Sequence, residues 1–335
     1  MTLLITGGTG FVLSNLARRW LEENPNESVL ALDAAPWDAA LERFFAPVRE
    51  RLIFIQGDVL DQAVWDRLAG ETALTHVVHG ATITPSAERE KAQPKQILEV
   101  NVMGTVNALE FARRLPHLRR FIYVSSGAVY GEARARTPDV PVPEDGHVSP
   151  VELYGISKYA SEHITRRYGE VFGLSVASVR FSGVYGPMDR ETPARAVQCI
   201  PYRVAHLALA GQPIRVNALE AGGDWIHAQD VARALAVLLR APKLNHGVYN
   251  IAYGGFITIG ELIEIVREVA PGLRASVVPE AEADIVQDPR KRLGRWSDYD
   301  VSRLRGEFGW APRPIREALQ SYVTWLRENE FSTTQ

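Results

Sequence analysis

Tyr154-Gly-Ile-Ser-Lys158 places a phenol and an ammonium one helical turn apart, so both side chains share a face. A free tyrosine has a pKa of about 10, and roughly a thousandth of it is phenolate at neutral pH. A neighbouring positive charge favours the phenolate and can move such a pKa by roughly 1–3 units. A tyrosine tuned in this way is a general acid/base for a hydroxyl-bearing carbon. Alone the pair is weak, because an amphipathic helix with one aromatic and one solvated lysine carries the same pattern. Upstream residues give it a context: Ser125-Ser126 ends an apolar run, and Thr6-Gly-Gly-Thr-Gly-Phe11 lies between an apolar run and a helical pattern.

The glycine turn Gly7-Gly-Thr-Gly10 lets backbone N–H groups approach a pyrophosphate at a helix N-terminus. Asp33 closes the second apolar run about 20 residues on, where a carboxylate can bind the ribose hydroxyls of an adenosine. Ala34-Ala-Pro36 follows, with no arginine for a 2′-phosphate, so the reading is NAD rather than NADP. Asp58 could bond the adenine or cap the next helix. Gly80-Ala-Thr82 has the small residues that would let the chain approach the cofactor.

Short apolar runs at 3–6, 29–33, 52–55, 75–78, 120–125 and 175–180 alternate with helical spacing at 13–23, 61–68, 95–114 and 154–172. Strands apolar on both faces that alternate with helices imply a doubly wound parallel α/β sheet of Rossmann type. Residues 132–150, with Pro138, Pro141, Pro143 and Pro150, form an irregular excursion. Beyond Arg180 helices are expected at 228–239, 258–269 and 314–329, and a strand at 248–251, in a smaller α/β C-terminal substrate lobe. The expected division is 1–178 with 224–252 for the dinucleotide, and 179–223 with 253–335 for the substrate.

The 335 residues are 46% hydrophobic and 23% charged with a net charge of −3, which is ample for a core and lacks the broad basic face of a nucleic-acid binder. The single cysteine, Cys199, excludes an intramolecular disulfide and a cysteine-rich metal site. No stretch approaches the roughly 20 apolar residues of a membrane span, and the first strand leaves no space for a signal peptide. A soluble cytoplasmic protein without a metal is expected.

The chain resembles the extended short-chain dehydrogenase/reductases, the NAD-dependent epimerase/dehydratase family. The likeness rests on Thr6–Phe11, Gly57-Asp-Val59, Val78-His-Gly-Ala81, Asn101-Val-Met-Gly-Thr105, Tyr123–Gly131, Tyr154–Lys158, Arg180–Pro187, Asp224-Trp-Ile-His227 and Phe308–Pro312, in the family's order. The resemblance implies Tyr154 as acid/base, Lys158 on the nicotinamide ribose and lowering the tyrosine pKa, and Ser126 on the reacting oxygen. Ser125 stays open as the alternative serine. The implied cofactor set is Gly7, Gly10, Phe11, Val12, Asp33, Asp58, Val59, Gly80, Ala81, Thr82, Asn101, Tyr154, Lys158, Phe181 and Ser182. The implied substrate set is Thr84, Ser126, Gly127, Gly183, Arg190 and Arg290. A homodimer through the helices at 95–114 and 154–172 is also implied.

Three departures narrow the reading. Leu13 replaces the family's third loop glycine, which implies a shifted helix or an altered pocket edge. Gly183 and Gly223 stand where nucleotide-sugar members usually carry an asparagine and often an arginine. The leading expectation is an NAD-dependent oxidoreductase for a small sugar-like alcohol or sugar acid. The alternatives are a nucleotide-sugar epimerase and a non-catalytic NAD-binding regulator; retention of Tyr154 and Lys158 weighs against the regulator. A dehydratase fits least, because Gly127-Ala128 follows Ser126 where such members carry Asp-Glu.

Overall fold

Leu3, Leu4 and Ile5 have no solvent exposure, as a strand in a sheet covered on both faces requires. They lie in Thr2–Thr6 (β1) of the computed structural model, which describes residues 2–71, 73–84, 86–135, 140–192, 194–195, 197–288, 291 and 296–331. The next strands are Ser28–Asp33 (β2), Leu52–Gln56 (β3), Leu74–His79 (β4), Arg120–Ser126 (β5) and Val176–Phe181 (β6). A seventh, Val248–Ile251, lies beyond β6. All pair in parallel, in the order seventh-β6-β5-β4-β1-β2-β3. The winding reverses between β1 and β4, which is where doubly wound sheets open a ligand crevice.

Helix Phe11–Glu23 (α1) and the helix Ala228–Arg240 cover one face, packing Leu16, Ala17 and Trp20 with Val231, Leu235 and Leu238. Val64, Trp65 and Leu68 join Ala108 and Phe111 in the core of the other face. Residues 228–251 thus return to the main sheet. A separate core gathers Val204, Ile214, Trp225, Leu262, Val266, Leu319 and Val323 around the helices Ile200–Leu209, Ile259–Val269 and Ile315–Asn329. Its strands are short pairs, such as Gly183–Tyr185 with Trp225–His227. Thr258 caps the Ile259–Val269 helix in a reciprocal capping box with Glu261.

Two features differ from the expected pattern. The helix expected over 95–114 is Pro94–Leu98, then a π-turn at Glu99–Met103, then Gly104–Ala112. The π-turn inserts one residue into the helical ladder, and hydrophobic spacing has no marker for it. Short helices at Ala39–Phe45 and Ser302–Phe308, and the Ile200–Leu209 helix, were absent from the pattern too. At Ala39–Phe45 the signal was the cap: Asp38 accepts from Leu41 N at 2.8 Å.

The room for Leu13 comes from the strand opposite. Leu13 is buried, and its Cδ1 fills the space that a Cβ on residue 80 would need. Gly80 therefore supplies the close approach that a glycine at 13 would otherwise supply. Gly80→Ala is expected to destabilise the protein by about 1–3 kcal/mol through overpacking. Leu13→Ala in the same chain should recover much of that loss. Urea unfolding of the two single variants and the double variant reads the coupling; additive effects would contradict it.

Candidate active site

Residues that would hold a dinucleotide meet at the C-terminal ends of β1, β2 and β4. Gly7 has φ +68°, and a Cβ there would stand 2.9 Å from Ala81 N. Only glycine allows this turn and this approach. Gly7 N donates to Leu32 O at 2.8 Å, and Gly10 N to Gly7 O at 3.1 Å. Gly10 begins α1 with no side-chain cap and no acidic residue in the first turn, so its N–H groups suit an anion. Asp33 Oδ2 accepts from Thr9 N at 3.2 Å and Oδ1 from Ala35 N at 3.1 Å. This carboxylate favours ribose hydroxyls and would repel a 2′-phosphate. The cradle fits NAD.

The neighbouring strand ends are tied by uncharged bonds. Thr6 Oγ1 contacts His79 Nδ1 at 2.7 Å and accepts from Gly80 N and Ala81 N. Burial lowers the His79 pKa to about 3, so the ring is neutral, and its Nε2 meets Thr105 Oγ1 at 3.1 Å. Asp58 is exposed and accepts from Leu60 N, while Asp61 caps the following helix. Val59 is buried, and its carbonyl accepts from Trp65 and Asn107. Phe11, Phe181 and Ser182 are buried at element ends, with Val12 partly exposed beside Phe11.

Asn101 sits inside the π-turn. Its Oδ1 accepts from Thr82 Oγ1 at 2.9 Å and Ile83 N at 2.8 Å, and its Nδ2 donates to Ser157 Oγ at 3.0 Å. Its backbone carbonyl accepts from Thr105 and Ser161 hydroxyls at 2.7 and 3.0 Å. One residue thus locks the β4 end to the Leu153–Phe172 helix.

That helix carries Tyr154 and Lys158 beside the end of β5. Lys158 Nζ is buried, donates to Val124 O at 2.8 Å and lies 5.7 Å from the Tyr154 ring centroid. Burial lowers the Lys158 pKa to about 7, opposed by the charge of Glu162. Burial raises the Tyr154 pKa above its ordinary value, against a hydrogen bond with Ser126 and the charge of Arg195. Burial of the phenol thus acts against the lowering expected from Lys158. Ser126 lies beside Tyr154, whereas Ser125 Oγ donates to Glu162 Oε1 at 2.5 Å. Geometry thus separates the two serines.

The substrate-side residues scatter. Thr84 N and Oγ1 both donate to Ala194 O, at 3.1 and 2.8 Å. Gly127 lies under the Tyr299 hydroxyl, which would overlap any Cβ there. A Cβ on Gly183 would come within 2.6 Å of the Trp225 ring, so the indole fills the space of a longer side chain. Arg190 is not brought to the Ser126–Tyr154 pocket: its Nη2 donates to Asp38 Oδ2 at 2.9 Å, near the Asp33 side. Arg290 lies outside the described residues. Two residues were missed. Glu162, four residues beyond Lys158, was legible as Tyr-x-x-x-Lys-x-x-x-Glu. Arg195 left no such signal, since a loop of distant origin brings it to Phe11 at 5.0 Å.

The family model for "NAD dependent epimerase/dehydratase family" matches residues 3–252. The chain belongs to that family. It is similar to a dTDP-glucose 4,6-dehydratase of an Actinoplanes species, 30% identical over 340 residues that cover 98% of each chain. A UDP-glucuronate 4-epimerase of Arabidopsis thaliana is 25% identical over 97% of this chain and 76% of its own. The crystal structure of Thermus thermophilus UDP-glucose 4-epimerase in complex with NAD superposes with a TM-score of 0.78, at 28% identity, covering 98% of this chain and 99% of that one. The chain is an NAD-dependent enzyme of the extended short-chain dehydrogenase/reductase type.

The lowered Lys158 pKa has a stability signature. Between about pH 7 and 10.5 the unfolded lysine holds a proton that the folded one has partly lost. Unfolding free energy therefore rises with pH across that window, and the cost of burying the cation is full below it. Lys158→Met in NAD-free protein should remove this positive slope. Chemical denaturation at both ends of the window checks it; an unchanged slope would show that Lys158 titrates normally.

Proposed function

We propose that the protein transfers a hydride at a hydroxyl or keto carbon of a small sugar-like or sugar-acid substrate, with Tyr154 as acid/base. The observation that carries this reading is the grouping of half-buried Ser126 and Tyr154 with the buried Lys158 beside the Gly7–Gly10 cradle. Gly7, Gly10, Asp33 and Asn101 would hold NAD, which supplies the hydride acceptor when bound. The Ser126 hydroxyl orients the substrate oxygen, and the Tyr154 phenolate takes its proton. The Lys158 charge stabilises that phenolate. Hydroxyls of the nicotinamide ribose beside Lys158 would offset its burial and keep it protonated.

Gly183 and Gly223 carry no side chain for a nucleotide-linked phosphate, and Trp225 fills the space at 183. This favours a substrate without a nucleotide handle. The UDP-glucuronate relative is named for a sugar acid. A second reading is a nucleotide-sugar 4-epimerase that returns the hydride to its substrate; relatives with such names span nearly the whole chain. A dehydratase lacks its usual acid pair, since Gly127 and Ala128 follow Ser126. We further propose the division of labour given by residues 1–178 with 224–252 and by the remainder, and a cytoplasmic homodimer. Among the described residues no helix is long and apolar enough to cross a membrane. Met103, Ile156, Val171 and Phe172 are exposed on the two helices expected at the dimer contact.

Free aldoses, aldonates and uronates should give net NADH from NAD, read by absorbance. Turnover of UDP- or dTDP-sugars alone, without net NADH, would select the epimerase. Tyr154→Phe should lower kcat by at least about a hundredfold with any substrate found, the usual worth of general acid/base help. Unchanged kcat would remove Tyr154 from the chemistry.

A further inference from the structure

The loop after Gly186-Pro187 carries a cation into the site that neither cofactor binding nor the acid/base step uses. Met188 takes a left-handed φ of +69°, a conformation uncommon for a residue with a side chain, and its side chain is buried. Asn15 Nδ2 anchors the loop by donating to Pro187 O at 2.8 Å. Further on, Thr192 and Arg195 pair through reciprocal backbone bonds of 2.9 Å, and Ala194 O is held by Thr84. These bonds turn the loop back on itself and tie it to Thr84 beyond β4.

Arg195 is the product of that folding. Its Nε donates to Asp189 Oδ1 at 2.9 Å, and the Asp189 side chain has no solvent exposure. Its guanidinium lies 5.0 Å from the Phe11 ring centroid, at the head of α1. Thr84, which holds the neighbouring Ala194, follows Ile83, and Asn101 ties Ile83 to Ser157 on the Tyr154 helix, so the loop is fastened on the Tyr154 side of the crevice. The described residues give the two terminal nitrogens of Arg195 no acceptor. One edge of the fork is thus fixed by a buried partner, and the other edge is left to a ligand. A fork held this way loses little entropy on binding and matches a carboxylate or phosphate with two parallel bonds.

We propose that Arg195 is a specificity-determining residue that binds an anionic substituent, a carboxylate or phosphate, of the sugar-like substrate. It supplies from the loop the anion contact that Gly183 and Gly223 cannot make. The inference rests on the sugar-like substrate class proposed above and narrows it to charged members.

The test uses NADH-saturated protein, so that no oxidation occurs, titrated calorimetrically with D-glucuronate and with D-glucose. Glucuronate should bind at least about tenfold more tightly than glucose, the worth of one charge-assisted hydrogen bond. The double variant Asp189→Asn/Arg195→Gln removes both charges together and leaves no lone buried ion. It should bind the two sugars alike while keeping NADH affinity within about threefold. Equal binding by the unaltered protein, no glucuronate binding, or a preference that survives in the double variant overturns the proposal. So does a selective loss of NADH affinity, which would assign Arg195 to the dinucleotide pyrophosphate. Should the double variant not fold, Arg195→Lys keeps the charge but not the fork and should shrink the preference at least about threefold; an unchanged preference overturns the proposal. Absence of NADH formation from every sugar, with the binding preference intact, would count against the proposed reaction and not against this site.

Discussion

The Lys158 ammonium is 1% exposed and has one carbonyl, Val124 O at 2.8 Å, as its hydrogen-bond partner. An uncompensated buried ion costs several kcal/mol, so the surrounding fold must answer that charge. Glu162 answers it from one turn further along the same helix. Glu162 is itself held by Ser125 and by two bonds from Arg180 of β6, at 2.9 and 2.6 Å. Arg180 continues to Glu144 O at 2.9 Å and lies 4.8 Å from the Tyr130 ring centroid. The Tyr130 hydroxyl donates to Asn250 Oδ1 on the seventh strand. Each link is buried, so a shift of the Leu153–Phe172 helix along the sheet would strand a polar partner without water. Electrostatics fixes the height of Tyr154 above β5 as firmly as packing does.

A second constraint acts from the other side of the same helix. Within the π-turn the Asn101 carbonyl accepts from the Thr105 and Ser161 hydroxyls, while the side chain ties Ile83 to Ser157. From this turn one residue cross-links the chain after β4 and the Leu153–Phe172 helix. The position of the turn between the β4 end and the Tyr154 helix fits the tendency of such bulges to mark functional sites. Lys158 is thus braced by the Glu162 network behind it and by the Asn101 bonds beside it.

How far the sequence could be read follows from what each feature depends on. The parallel sheet was legible because Leu3-Leu-Ile5 and the runs like it must be covered on both faces wherever they pair. Gly7, Asp33, Tyr154 and Lys158 were legible because turn geometry and helical spacing are local. The π-turn was not, because no residue type specifies it. Nor was the accommodation of Leu13, since its room is made by Gly80, 67 positions away just past the end of β4. Arg190 shows the same limit in reverse: proximity in sequence to Gly186-Pro187 suggested the pocket, but Asp38 across the crevice claims its guanidinium. The short helices at 39–45 and 302–308 are too brief for periodicity to mark.

These differences separate the two halves of the crevice physically. On the cofactor side the demands are steric and backbone-based: positive φ, close approach and free N–H groups, which particular residue types satisfy in place. On the side proposed for the substrate, the polar side chains lie on loops whose course depends on distant partners. The loop after Pro187 is held by Asn15 of α1, Thr84 after β4 and Asp38 after β2, so its aim is set by three segments far apart in the chain. Glycines at 183 and 223 coexist with the Tyr154–Lys158 pair because the two sets of residues are positioned by different parts of the fold.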